Sequence, residues 1–168
     1  FIFSQIQNAV TRIDAVFSSN VDVNELSEAL ELVENTVYEY LNTKSSDSLE
    51  NYYRNTQTLR DMLEQLNAEN VENDSKILEA NIRNMADTYL RYSEETVQAK
   101  RGRNVEKYNT VYNAALQNYK YVQAAIYRLN DMRFRSNTDN YRLMMKSMKY
   151  MEIVCSGIVI AAAVCSLM

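Results

Sequence analysis

A chain of 168 residues with no proline, no tryptophan, no histidine and two glycines has few places to turn, so long helices are the default. The missing histidines remove the commonest metal ligand and general base, and a net charge of −4 argues against a nucleic-acid surface. Both cysteines, Cys155 and Cys165, lie in one apolar run near the end, which excludes a disulfide framework or a cysteine zinc site before it.

The elements follow from helical periodicity. Phe3, Ile6, Val10, Ile13 and Phe17 recur every three or four residues, and Leu26, Leu30, Val33, Val37, Tyr40 and Leu41 continue that edge. This predicts one long first helix to about Asn42, with a possible kink near Ser19, where Ser18-Ser19-Asn20 interrupts the pattern. Asn42 to Ser46 is a loop. Asp47-x-x-Glu50 then has the form of a helix start, a capping oxygen followed three places later by an acid. The second helix carries Leu49, Tyr52 or Tyr53, Thr56, Leu59, Leu63 and Leu66 on its edge, and the polar stretch Asn67 to Asn73 ends it.

The third helix shows Leu78, Ile82, Met85, Tyr89 and Tyr92 and fades after Val97. Gln98 to Asn104 is expected as a loop, with Gly102 in the left-handed conformation that closes helices and Lys100 and Arg101 facing the negative end of the helix dipole. The fourth helix has Tyr108, Val111, Tyr112, Ala115, Tyr119, Val122, Ile126 and Leu129. Ser136-x-x-Asp139 resembles a capping box, which predicts a kink or short break before a final helix with Tyr141, Met144, Met145, Met148 and Met151 on its apolar edge.

From Ile153 the sequence IVCSGIVIAAAVCSLM has no charge. A bilayer span needs roughly 20 apolar residues. The run is expected to be the first part of a transmembrane helix that continues beyond a truncated end. The opening Phe1-Ile2-Phe3 fits the exit from an earlier span. The expected organisation is thus a helical sensor domain over 1–150 and the start of a membrane helix over 151–168.

Helix lengths suggest an elongated antiparallel four-helix bundle in the distal part. Near the membrane only Phe1 to Ser18 and Asp139 to Tyr150 remain, a two-helix stem. Two helices make a poor isolated core, so a parallel homodimer through the stem is expected.

The segment Leu41-Asn42-Thr43-Lys44-Ser45-Ser46-Asp47-Ser48-Leu49-Glu50-Asn51-Tyr52-Tyr53-Arg54 resembles the stretch after the first long helix in extracytoplasmic sensor regions of YesM-type histidine kinases. These bacterial membrane kinases are often paired with AraC-type response regulators and sugar uptake. The resemblance implies residues 1–150 outside the cell membrane, a linker of the HAMP type and a histidine-phosphorylating kinase after Met168, and a cognate response regulator. It carries over no catalytic residue, so this fragment is not expected to be an enzyme. Arg142, Lys146 and Lys149 stand against that orientation, because positive charge usually marks the cytoplasmic flank.

Several features admit two readings. The 13 tyrosines, among them Tyr89, Tyr92, Tyr108, Tyr112 and Tyr119, are either core rings with their hydroxyls at the rim or the walls of a pocket for a sugar or aromatic ligand. Lys100-Arg101-Gly102-Arg103 is either a solvated helix cap or an anion-binding loop. Tyr52, Tyr53 and Arg54 fall near the same distal end. Together with Arg101, Arg103 and Tyr108 they form the candidate contact surface for a ligand or an extracellular binding protein. The Met144, Met145, Met148 and Met151 cluster suits packing better than soft-metal binding. No metal or cofactor is expected. The leading expectation is a sensing module of a two-component kinase that passes a small helix displacement across the membrane. The alternatives are a chemoreceptor ligand-binding domain and a tail-anchored SNARE-like interaction protein.

Overall fold

A computed structural model describes the backbone of residues 2–66 and 73–166. It describes the side chains of 23–66, of 75–135 and of scattered positions as far as Gly157. Four helices account for it: α1 (Ile2–Thr43), α2 (Ser46–Gln65), α3 (Asn73–Arg101) and α4 (Val105–Ser166). No strand occurs among the described residues. The all-helical expectation holds, as it must for a chain so poor in turn residues.

Side-chain contacts fix the directions. Lys44 at the end of α1 donates to the backbone carbonyl of Arg101 at the end of α3, so both turns lie at one end. Further along, Tyr112 of α4 reaches Glu34 of α1, and Asn130 of α4 lies against Asn24 of α1. Thus α1 and α3 run toward the turns and α2 and α4 run away from them. The α3–α4 and α1–α2 pairs pack most closely, and α1 joins α4 to close the assembly.

From Leu26 to Leu129 the edges read from the sequence supply the core, whereas Met145 and Met148 of the last expected edge are exposed. Leu26, Leu30, Val33, Val37 and Tyr40 of α1 meet Tyr52, Leu59 and Leu63 of α2, Ile82, Tyr89, Leu90 and Val97 of α3, and Val122, Ile126 and Leu129 of α4. Each fully buried aliphatic side chain here contributes about 1.5–3 kcal/mol relative to exposure. Of the pair Tyr52 and Tyr53, it is Tyr52 that turns inward.

Three local expectations are corrected. The helix after Leu129 neither breaks nor restarts at Ser136: α4 is one element of 62 residues. There Thr138 bonds the carbonyl of Phe134 within the helix, and Asp139 is exposed, so the box caps nothing. In α1, Ser18-Ser19-Asn20 is helical, within the single long first helix that was expected. The cap of α2 is Ser45, whose side chain accepts from the Ser48 N–H, and Asp47 instead lies in the first turn, where an acid favours the helix dipole. Finally, α3 runs to Arg101, and the left-handed residue that follows is Arg103 (φ 57°), not Gly102. The N–H of Asn104 bonds the carbonyl of Ala99 and that of Arg103 bonds Lys100, a Schellman closure that puts its left-handed position one residue beyond the glycine.

Among the described residues no helix is long and apolar enough to cross a membrane. The side chains of Ile158–Met168, which make up most of the apolar run, lie outside the described set, as do those of Phe3–Phe17 in the expected stem. The backbone of α4 continues helical from the core into that run as far as Ser166.

Candidate functional site

The distal end is built by two adjacent turns. Lys44 (φ 51°) and Arg103 (φ 57°) both occupy the left-handed region that favours glycine. Each therefore places a long cationic side chain beyond a helix C-terminus, whose free carbonyls attract positive charge. A hydroxyl network braces the first turn: Ser45 and Ser48 lie 2.8 Å apart, and Thr43 lies 3.1 Å from Ser48.

Beside the turns, α2 and α3 meet around Glu94. Its two carboxylate oxygens accept from the hydroxyls of Tyr52 and Tyr53, each at 3.3 Å, and from Gln98 at 2.7 Å. The two rings lie 5.1 Å apart and tilted. Burial, and then the Glu94 charge, push both phenols above their ordinary pKa, while Arg101 beside Tyr53 pulls that one back down. Tyr53 and Arg101 thus form one exposed pair over the Glu94 floor.

The six predicted contact residues therefore divide. Tyr53 and Arg101 sit together at the exposed end, and Arg103 is exposed in the turn that follows α3. Tyr52 is wholly buried beneath Tyr53 and belongs to the core, not the surface. Arg54 is exposed on α2 and donates to Asn51, one turn back at 2.7 Å. Tyr108 of α4 is half-buried, with the Lys100 ammonium 4.7 Å from its ring centre, a cation–π contact. The distal end is not uniformly basic, since Lys107 pairs with Glu95 at 3.1 Å.

Three features were not singled out in the sequence. Glu34 of α1 accepts from Tyr89 of α3 at 3.0 Å and from Tyr112 of α4 at 2.8 Å. Glu79 of α3 forms a nearly buried ion pair with Arg133 of α4 at 2.9 Å and accepts from Ser75 at 3.0 Å. An open groove of about 520 Å³ separates α1 from α4 beyond Glu34, with a floor of Val23 and Ile126 and walls that include Asn24, Gln123, Tyr127 and Asn130. One signal for Glu34 was present: an acid stands between Val33 and Val37 on an otherwise apolar edge. Nothing in one helix alone reveals its partners. Among the described residues no cluster of acids or cysteines could hold a metal.

No family model and no curated protein matches the sequence. A solved structure does match by fold. It is a chain of a structure described as the XylFII-LytSN complex. The TM-score is 0.67 at 16% sequence identity, and the superposition covers 71% of this chain and 98% of that one. At this identity the likeness establishes a shared fold, and it spans nearly all of the other chain.

Proposed function

We propose that this chain is the extracytoplasmic sensing module of a two-component sensor histidine kinase, with the kinase elsewhere in the parent protein. The observation that carries the reading is the continuity of α4, which passes from the distal turn, through the whole core and into the uncharged run, without a joint. At about 1.5 Å per residue its 62 residues measure about 93 Å. Two further facts support it. The segment Leu41–Arg54 resembles YesM-type sensor regions, and the fold is shared with a chain of the XylFII-LytSN complex.

The mechanism is a shift between two packings. A binding protein that docks at the distal end, on Tyr53, Arg101 and Arg103, favours one packing by its differential affinity and by no more than that. The response is a displacement of α1 against α4 on the order of 1–2 Å. A homodimer through the stem helices carries it into the membrane segment that begins near Ile153.

A second reading, direct sensing of a small polyol, is favoured by the α1–α4 groove. Its carboxamides Asn24, Gln123 and Asn130 and the exposed ring of Tyr127 suit hydroxyl-rich ligands. A ligand wedged there touches both long helices at once.

The test inserts alanines just before Ile153 in the full-length kinase and reads autophosphorylation in membranes. Each inserted residue turns the following helix by about 100°, and seven nearly restore its phase. Output should change with one or two residues and recover with seven. An output indifferent to all insertions would refute transmission through a continuous helix.

A further inference from the structure

Glu34 sits where three helices meet, and unlike Glu94 it is held by phenols from two other helices. Glu34 is partly buried. It accepts two phenolic hydroxyls, from Tyr89 on α3 and Tyr112 on α4. It makes no salt bridge among the described residues. The titratable groups coupled to it and to its partners are acids and phenols, and the nearest cation along the α1–α4 groove is Lys120 of α4. Glu31 and Tyr38 share α1 with it, Tyr119 of α4 feels both Glu31 and Glu34, and Tyr89 couples to Tyr52 of α2. The Tyr89 ring also stacks at 5.9 Å on Tyr119. Ser93, buried beside the Tyr89 hydroxyl, has no hydrogen-bond partner of good geometry.

A buried charge without a counter-charge is expensive, and two neutral donors offset only part of that cost. An ionised Glu34 is therefore the strained member of the α1 interface. Its penalty is relieved in two ways: the carboxylate takes a proton, or α1 moves so that it reaches water.

We propose that Glu34 is a release point between α1 and the α3–α4 hairpin. Ionised, it biases α1 toward a displaced packing in which the carboxylate is hydrated. Neutral, it no longer carries the cost of a partly buried charge, and α1 settles in the packing described here. The inference stands on the packing alone and holds whether or not the chain serves a kinase.

Burial raises the Glu34 pKa above its ordinary 4.5, and the two tyrosine bonds pull it only part of the way back. A raised folded-state pKa means the folded chain binds the proton more tightly than the unfolded chain. The stabilising contribution is complete below pH 4.5 and disappears as pH rises through the folded value.

The experiment measures the distance between spin labels at Glu28→Cys on α1 and Gln117→Cys on α4, both exposed positions, in the full chain with Cys155→Ser and Cys165→Ser. The expected distribution has two components at pH 7.5 and narrows toward one as pH falls to 4.5. In Glu34→Gln it should be single at both pH values. That variant should also melt roughly 2–4 °C higher than the parent at pH 7.5, with the gap closing in acid. A plain structural hydrogen bond predicts the opposite, a lower melting point for Glu34→Gln and no change in the label distance. That result overturns the proposal, as does a parent distance that is single and constant from pH 7.5 to 4.5. The second criterion needs no variant at Glu34, so a poorly folding Glu34→Gln still leaves the proposal open to refutation.

Discussion

Glu79 and Glu34 are both drawn into this helical assembly, and they are accommodated in opposite ways. Glu79, toward the far end of the core from the turns, meets Arg133 at 2.9 Å and a serine hydroxyl. Glu34, nearer the turns, accepts from two phenols and has no ion pair among the described residues. The first arrangement ties α3 to α4 by opposite charges. The second leaves α1 joined to the same hairpin by an acid that has no counter-charge. The difference teaches that α3 and α4 act as a unit and that α1 is the element with an alternative.

The comparison can be broken most severely at the ion pair. Arg133→Met leaves Glu79 as an uncompensated buried charge, and urea denaturation should show a loss of about 3–5 kcal/mol. Adding Glu79→Leu should recover most of that loss, because a well-packed apolar pair is close to neutral relative to a buried ion pair. A double variant as weak as the single one would show that Arg133 matters for some reason other than Glu79.

A smaller effect is expected at the phenols. Tyr89→Phe removes one of two donors from Glu34 and should cost about 1–3 kcal/mol at pH 7.5. The same substitution at the half-exposed Tyr112 should cost less. Both penalties should shrink in acid, where Glu34 is protonated, and the Arg133→Met/Glu79→Leu double variant should leave this dependence in place.

At the turns, Arg103→Gly should stabilise the fold by about 1 kcal/mol, since a left-handed residue with a Cβ is replaced by one without. Gly102→Ala should be tolerated, because a Cβ there meets only the carbonyls of Gln98 and Ala99 at 3.5 and 3.7 Å. The smallest stability effect belongs to Arg101→Ala, within about 0.5 kcal/mol by thermal melting. On the proposed function it should nonetheless weaken capture of the partner binding protein at least tenfold in a surface-binding assay. Unchanged capture would move the docking surface away from Tyr53 and Arg101.

The sequence made the core legible wherever one helix could be read by itself. Leu26 through Tyr40, Leu59, Leu63, Ile82, Tyr89, Val122 and Leu129 were marked by spacing, and spacing reports which face of a helix is buried. Capping motifs were less reliable. Ser136-x-x-Asp139 has the right letters, but a side-chain cap forms only where the backbone leaves the helix, and nothing there forces it to leave. Gly102 was read as the left-handed residue from its type, whereas the bonds from Arg103 and Asn104 back into α3 decide the position. The candidate surface was half legible. Tyr53 and Arg101 meet because α2 and α3 are neighbours beside the turns, and Arg103 follows in the second turn. Tyr52 could not be separated from Tyr53, since adjacent residues differ by only about 100° around a helix axis. Glu34 was invisible as a site because its partners are 55 and 78 residues away.

The seamlessness of α4 also constrains how the module could be recombined with other proteins. A helix without a joint has no neutral place to be cut and spliced. Every graft onto its C-terminal half inherits an angular phase, so only junctions spaced by about seven residues present the same face to whatever is attached. Chimeras joined at intermediate spacings should be well folded yet wired to a different resting state, and a ladder of such fusions would behave as a dial.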